Sequence, residues 1–163
     1  MTKQKPIEII TPPNTLKAKV GGAIPALDQK AIAKAEAALE QMSGQFADWI
    51  NEELAHLLDA WAKYESEHGS PAARNELHRR AHDLKGLAPT YGYPLVGRIC
   101  ASLCKLTGDE HAEINPPEKL LKAHVDATKA AVIGKIMGAD HPVGLALANE
   151  LEAQVKTLIA SKA

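Results

Sequence analysis

The spacing of apolar residues follows the period of an α-helix along most of the chain after Leu27. Residues three and four positions apart share one face of a helix, and that face needs a partner to bury it. Stripes of this kind, separated by glycine and proline, predict four core helices over about 45–67, 71–88, 93–107 and 116–137. Shorter stripes predict flanking helices over about 28–42 and 140–162, with an interruption or a bend at Ser43-Gly44.

Composition favours helices over strands. The 163 residues include 28 alanines and 18 leucines but only six aromatic residues. Alanine and leucine are strong helix formers, whereas strands are enriched in aromatic and β-branched side chains. Helices that are joined by short loops pack antiparallel to their neighbours. The prediction is therefore an all-α fold, an up-and-down antiparallel four-helix bundle with additional N- and C-terminal helices.

The chain divides into an arm and one domain. Residues 1–27 contain several prolines and a Gly-Gly pair, and they predict an irregular N-terminal arm. Residues 28–163 predict a single helical domain, with a bundle core over about 45–137. Cys100 and Cys104 fall one turn apart on one predicted helix, which is a poor placement for a disulfide between them. We interpret them as small buried apolar residues.

Charge and hydropathy exclude several classes of function. Lys and Arg number 19 against 20 Asp and Glu, so the net charge is −1, which argues against nucleic-acid binding through bulk charge. No apolar run approaches the roughly 20 residues of a membrane span, and the first residues contain no apolar segment typical of a signal peptide. We therefore expect a cytoplasmic protein that binds neither membrane nor nucleic acid.

The predicted helix over 71–88 carries a polar face of unusual composition. With Leu77 at the centre of its buried face and about 100° per residue, His82 falls about 140° away, on the outer face. The other residues of that face and its flank are Asn75, His78, Arg79, Lys85, Gly86 and Pro89. A neutral imidazole is a nucleophile, and Lys85 and Arg79 could pair with a dianionic group placed on it.

Gly86, one turn after His82, costs about 1 kcal/mol of helix stability relative to alanine. The lack of a side chain here would let another protein approach the imidazole. Together with the basic neighbours, it points to a docking surface for phosphoryl transfer.

The run Ala81-His82-Asp83-Leu84-Lys85-Gly86, with Gly92 ten residues after the histidine, resembles the signature of histidine-containing phosphotransfer (HPt) domains. That signature is His-x-x-Lys-Gly followed by a glycine that closes the helix. The resemblance covers about residues 45–137. Two departures stand out: Leu87 and Ala88 replace the small polar residues that often follow the family's Lys-Gly, and Pro89 interrupts a helix that usually continues.

The resemblance implies a role for each matching residue. It makes His82 the phosphorylated residue, Lys85 the cation that stabilises the phosphoryl group, and Gly86 the small residue that admits a receiver domain. The remaining residues expected on the docking surface are Asn75, His78, Arg79, Leu87 and Pro89. Tyr91 and Tyr93 would either extend this surface or pack at the helix junction.

The implied function is that of a phosphorelay intermediate. His82 would accept a phosphoryl group from the aspartyl phosphate of a receiver domain and pass it to a second receiver. The receiver would supply Mg²⁺, so the chain is expected to have no cofactor of its own and to be a phosphocarrier rather than a complete enzyme. We expect it to be a monomer. The expected partners are response-regulator receiver domains, with a hybrid histidine kinase as a further candidate.

Three alternatives stay open. His-Asp-Leu-Lys also resembles the phosphoacceptor box of histidine-kinase dimerisation domains, although that box usually has a proline where Leu87 stands; a dimeric phosphotransferase derived from a kinase would fit. A metal-binding bundle could use His78 with His82 and Glu65 with His68, both pairs at helical spacing. A helical adaptor without phosphochemistry is the third.

Overall fold

The computed structural model describes residues 29–111 and 114–162, and all regular structure in these residues is helical. The elements are α1 Gln29–Ser66, α2 Pro71–Leu87, α3 Pro94–Thr107, a 3₁₀ helix Asp109–His111, α4 Glu118–Ile133 and α5 Pro142–Ala160. The all-α prediction is confirmed. None of the helices in the described ranges is long and apolar enough to cross a membrane.

The chain divides into two compact units, Met1–Glu40 and Gln41–Ala163. Of the first unit, the structure describes residues 29–40, which form the beginning of α1. The predicted irregular arm, residues 1–27, lies outside the described residues. The second unit contains the remainder of α1 together with α2 to α5.

The predicted interruption at Ser43-Gly44 is wrong. α1 is one continuous helix of 38 residues, so the predicted helices 28–42 and 45–67 are joined. Glycine weakens a helix, but unlike proline it keeps its N–H and causes no clash with the preceding turn. Gly44 is exposed, and a Cβ at this position would meet no atom within 4 Å. No packing requirement therefore bends the chain here.

α4 ends at Ile133, four residues before the predicted boundary at 137. Gly134 is its C-cap, Lys135 adopts a left-handed φ of 50°, and the N–H of Ile136 donates to the carbonyl oxygen of Ala131 at 2.8 Å. This reversal brings Ile136 against α5, where a Cβ on Gly144 would lie 2.7 Å from its side chain.

α2 and α3 form an antiparallel pair. Near the start of α2, Arg74 donates to the carbonyl oxygens of Leu106 and Thr107 at the end of α3, at 2.9 and 3.2 Å. The apolar faces of the helices meet in one core, to which every α-helix contributes. Its large buried members include Ile50, Leu54, Leu57, Leu77, Leu84, Val96, Leu103, Leu121, Val125 and Val155.

α5 belongs to this packing rather than lying apart from it. It runs parallel to α3, because contacts that lie further along α3 also lie further along α5. Leu95 lies beside Gly144, where an added Cβ would be 2.7 Å from the leucine side chain, and three residues later the guanidinium of Arg98 binds the carboxylate of Glu152 at 2.7 Å. A second apolar cluster fills the space where α3 meets α4 and α5, and it consists of Leu95, Ile99, Ala127, Ala148 and Leu151.

A buried polar network joins α3 to α4. His124 is fully buried; its Nδ1 lies 2.7 Å from the carbonyl oxygen of Leu120 and its Nε2 3.0 Å from Ser102 Oγ. A carbonyl oxygen can only accept, so Nδ1 carries the proton and Nε2 accepts from the serine hydroxyl. Burial is the main cause that lowers the pKa of His124, which keeps the imidazole neutral.

Lowering the pH from about 7.5 to 5.5 should destabilise the fold through His124. The unfolded chain takes up a proton on this imidazole near pH 6.5, whereas burial disfavours that proton in the folded chain. The stability that depends on neutral His124 is therefore complete above about pH 6.5 and declines below it, by up to about 1.4 kcal/mol per pH unit. Urea unfolding across this range measures the effect.

The control is His124→Gln, which places a neutral, hydrogen-bonding amide at the same position. Its unfolding free energy should vary less with pH than that of the wild type. Equal pH dependence in the two proteins would show that His124 is not responsible.

Candidate functional site

α2 has a capped start and one buried face. Ser70 accepts a hydrogen bond from the N–H of Ala73 at 3.1 Å, and Pro71 occupies the first helical position, where its missing N–H costs nothing. The residues that α2 buries are Ala73, Leu77, Ala81 and Leu84. Because they share one side of the helix, the opposite side faces solvent.

His82 lies on this exposed side. The exposed residues around it are Asn75, Arg79, Lys85, Gly86, Leu87 and Pro89. His78 differs from them, because it is partly buried and its imidazole lies against the end of α3. The structure thus brings the residues singled out in the sequence to one side of α2 and its C-terminal end.

Two arginines of α2 share one carboxylate. Arg79 and Arg80 bind Glu76 at 2.5 and 2.8 Å, and these contacts, the hydrogen bond from Arg79 foremost, lower the pKa of Glu76. The guanidinium of Arg79 is therefore already paired, as the spacing of three residues on one helix allows. Lys85 is exposed and makes no ion pair with any residue in the described ranges. Its charge is available to an anion beside His82.

The C-terminal end of α2 is a tight turn. The helix stops at Leu87, one residue before the predicted boundary at 88 and two residues before Pro89, whose ring cannot continue a helix. The N–H of Tyr93 returns to the carbonyl oxygen of Ala88 at 2.8 Å, and Gly92 has a φ of 88°, which a residue with a side chain rarely adopts. Pro89 packs on α3, where a Cβ added to Gly97 would lie 2.9 Å from its ring.

An aromatic cluster lies beside this turn. The rings of Phe46, Trp49 and Tyr91 are 5.4–6.0 Å apart between centroids. Trp49 is 39% exposed and Leu87 is 37% exposed, so apolar surface adjoins the polar face of α2. Trp49 continues the apolar helical spacing of α1 in the sequence, yet it is exposed in the structure. Tyr93 is buried in the core, whereas Tyr91 is partly exposed in this cluster.

His78 is held by hydrogen bonds between α2 and α3. Its Nδ1 lies 3.0 Å from Thr107 Oγ1, and Thr107 in turn donates to the carbonyl oxygen of Leu103 at 3.0 Å. The imidazole rings of His78 and His82 are 6.3 Å apart between centroids and inclined by 29°. Nothing in the local sequence of α2 indicates the contact with Thr107, which is 29 residues away.

The two cysteines are free thiols; Cys100 is buried and Cys104 is partly buried. Burial raises the pKa of Cys100 to about 12 and that of Cys104 to about 11, so both thiols stay protonated near neutral pH. Cys100 Sγ lies 3.7 Å from Thr128 Oγ1, its contact on α4. The burial of Cys100 agrees with the interpretation from the sequence, whereas Cys104 is partly exposed.

The residues proposed for a metal site do not converge. Across residues 29–111 and 114–162, no three His, Cys, Asp or Glu side chains come close enough to hold an ion. His68 follows the end of α1 with a φ of 51°, and the other proposed pair, His78 and His82, lies on α2. The described geometry gives no support to the metal-binding alternative.

An all-helical bundle with an exposed histidine, and an exposed lysine one turn along the same helix, is typical of a histidine phosphotransfer module. The family model for the Hpt domain matches residues 41–153, which is more than half of the chain, and the protein belongs to this family. Searches of curated proteins and of solved structures gave no match. Hpt domains are phosphocarrier modules of two-component and phosphorelay signalling, and they interact with receiver domains and kinases.

Proposed function

We propose that this protein is a phosphorelay intermediate whose phosphoryl-carrying residue is His82. The observation that carries the proposal is the arrangement on α2: an exposed imidazole, an exposed lysine three residues later and a glycine four residues later. Positions three and four residues apart lie side by side on a helix. The nucleophile, a cation and an opening for a partner therefore occupy one small surface.

The reaction requires little of this chain beyond presentation of the imidazole. A ring nitrogen of His82 attacks the phosphorus of an aspartyl phosphate on a receiver domain; the N–P bond forms, the O–P bond breaks, and the carboxylate leaves. The reverse reaction passes the phosphoryl group to a second receiver. Positioning and charge stabilisation supply most of the catalysis in such transfers, and we propose that the receiver's own acidic site supplies the Mg²⁺.

Lys85 would stabilise the phosphoryl group on His82. Its ammonium is exposed and has no carboxylate partner in the part of the chain that the structure describes, unlike Arg79, which is bound to Glu76. A dianion on His82 would therefore meet the lysine without first displacing another anion.

The receiver would dock on a surface that combines polar and apolar parts. The polar part is the exposed side of α2 around His82, including Asn75 and Arg79, with His78 at its edge. The apolar part comprises Leu87, Pro89 and the neighbouring aromatic cluster. Gly86 lies between the two parts and presents no side chain. We propose that a monomer docks in this way on the receiver of a response regulator or of a hybrid histidine kinase.

Replacement of His82 by alanine should abolish phosphoryl uptake. Purified wild type and His82→Ala are incubated with a phosphorylated receiver, and acid-labile phosphate on each is measured by radiolabel and by intact mass. The control is His68→Asn, another exposed histidine, replaced by a residue that tolerates its positive φ. Continued uptake by His82→Ala would show that the phosphoryl group is carried elsewhere.

Lys85→Ala should shorten the lifetime of phospho-His82 about fivefold, the change expected for roughly 1 kcal/mol from an exposed charge pair. Lys85→Arg should restore most of it. Lys129→Ala, an exposed lysine on α4, is the matched control and should leave the lifetime unchanged. If Lys85→Ala and Lys129→Ala behave alike, the role given to Lys85 is wrong.

Gly86→Phe should slow transfer from the receiver at least tenfold while the bundle stays folded. A Cβ on Gly86 would meet no atom within 4 Å, so the added ring projects into solvent, where the receiver would approach. Ala153→Phe, at an exposed position of α5, controls for the added apolar surface. Stopped-flow transfer rates and urea unfolding separate the two effects. Equal transfer rates in both variants would argue against docking at Gly86.

A further inference from the structure

His78 is held in a defined pocket one turn before His82. Its Nδ1 contacts Thr107 Oγ1 at 3.0 Å, and its ring lies against Gly108, where an added Cβ would be 3.0 Å from His78 Cε1. A glycine at 108 therefore leaves room for the imidazole. Both contacts come from the end of α3, so the ring of His78 is fixed by packing between two helices.

The hydrogen bonds also favour one position for the proton of neutral His78. Thr107 Oγ1 lies 3.0 Å from the carbonyl oxygen of Leu103 and 3.0 Å from His78 Nδ1. Thr107 has a single hydroxyl proton, and both hydrogen bonds form at once only when that proton goes to the carbonyl oxygen, which cannot donate. Towards His78, the threonine oxygen can then act only as an acceptor. The proton of neutral His78 is therefore on Nδ1, and Nε2 has a free lone pair.

The charged groups around His78 leave its imidazole able to respond to a new anion. On α2, Arg74 is bound to the carbonyl oxygens of Leu106 and Thr107, and Arg79 is bound to Glu76. Lys85 lies two turns further along the same helix. At the end of α3, the contacts that the structure describes for His78 are with neutral groups, Thr107 and the C-cap residue Gly108. Lys105 and Asp109, which flank Thr107 in the chain, are exposed, and Asp83, five residues after His78 on α2, is partly buried.

His82 lies close enough to His78 for a charged group on His82 to affect the protonation of the His78 imidazole. The two rings are 6.3 Å apart between centroids, and His82 is the more exposed. A phosphoryl group on His82 carries nearly two negative charges, and a nearby opposite charge favours the protonated form of an imidazole.

We propose that His78 is a second functional residue of the site: Thr107 holds it as the Nδ1–H tautomer, and its Nε2 takes up a proton from solvent when His82 is phosphorylated. This inference rests on the proposed function of His82. The proton adds to the Nε2 lone pair, no other bond changes, and the imidazolium then stabilises the phosphoryl dianion together with Lys85. His78 acts as a positioning and charge-balancing residue and does not receive the phosphoryl group.

The coupling has a definite size and direction. Two charges at this separation in a solvent-screened site shift the protonation midpoint of an imidazole by about one pH unit. Linkage is reciprocal, so the protonated His78 favours phosphorylation of His82 about tenfold relative to the neutral His78. Protonated His78 thus stabilises phospho-His82 at a pH below the protonation midpoint of His78, and this stabilisation is lost as the pH rises above that midpoint.

Nitrogen NMR of the histidine rings tests the tautomer in the unphosphorylated protein. Wild type and Thr107→Ser, which keeps the hydroxyl, should show His78 protonated on Nδ1. Thr107→Val, which has the same shape without the hydroxyl, should show a mixture of tautomers. If the variants all give the same tautomer as the wild type, Thr107 does not hold His78 as proposed.

The same NMR signals, followed against pH before and after phosphorylation, test the proton uptake. Phosphoramidate serves as the donor: its P–N bond breaks with release of ammonia as the bond to His82 forms. His82→Ala identifies any phosphorylation elsewhere. The protonation midpoint of the His78 imidazole should be about one pH unit higher in the phosphorylated wild type than in the unphosphorylated protein. An unchanged midpoint in protein of the phosphorylated mass would overturn this inference alone, whereas failure of His82 to take up phosphate would overturn the proposed function with it.

The lifetime of phospho-His82 gives a second readout. His78→Asn keeps an amide donor near the position of Nδ1 but has nothing at the position of Nε2. The ratio of wild-type to variant lifetimes should approach tenfold at low pH and fall towards one at high pH. A ratio that does not vary with pH would contradict proton uptake at His78, and circular dichroism confirms that the variant is folded.

Discussion

The burial of one face of α2 is the constraint on which the site depends. Leu77 and Leu84 are completely buried, and burial of a leucine side chain is worth about 1.5–3 kcal/mol. An exposed ion pair such as Arg79 with Glu76 contributes far less. Rotation of α2 about its axis would expose both leucines, so the direction in which His82 points is determined by the core on the opposite side of the helix.

α3 holds α2 at both ends and thereby shapes the surroundings of His82. At one end Arg74 binds the last carbonyl oxygens of α3, and at the other Pro89 packs on Gly97. Because the two helices are antiparallel, the C-terminus of α3 lies beside the first half of α2. This places Thr107 against His78, whose ring is in turn near His82. A contact made for packing thus also reaches the surroundings of His82, the proposed phosphoacceptor.

Much of this arrangement was predictable because it follows from local rules. The helical period identified the buried residues of α2 and the exposed position of His82, and Pro89 marked the end of the helix. Interactions that depend on a second element were not predictable: the exposure of Trp49 beside Tyr91, and the inclusion of α5 in the core. The helix α1 continues through Ser43-Gly44, against the prediction, for another reason: the cost of one glycine is small compared with the stability of a long helix.

By itself, the sequence determined the fold class, the helix that carries the site and the set of side chains on its outer face. Helical periodicity and capping act within a few residues, and the chain displays them directly. Only the tertiary structure decided which of those side chains contact another helix. It bound His78 to Thr107 at the end of α3, whereas the pair of Arg79 with Glu76 lies within α2 at a spacing of three residues. Such choices depend on rotamers and on distances between groups, and for His78 the partner stands 29 residues away on another helix.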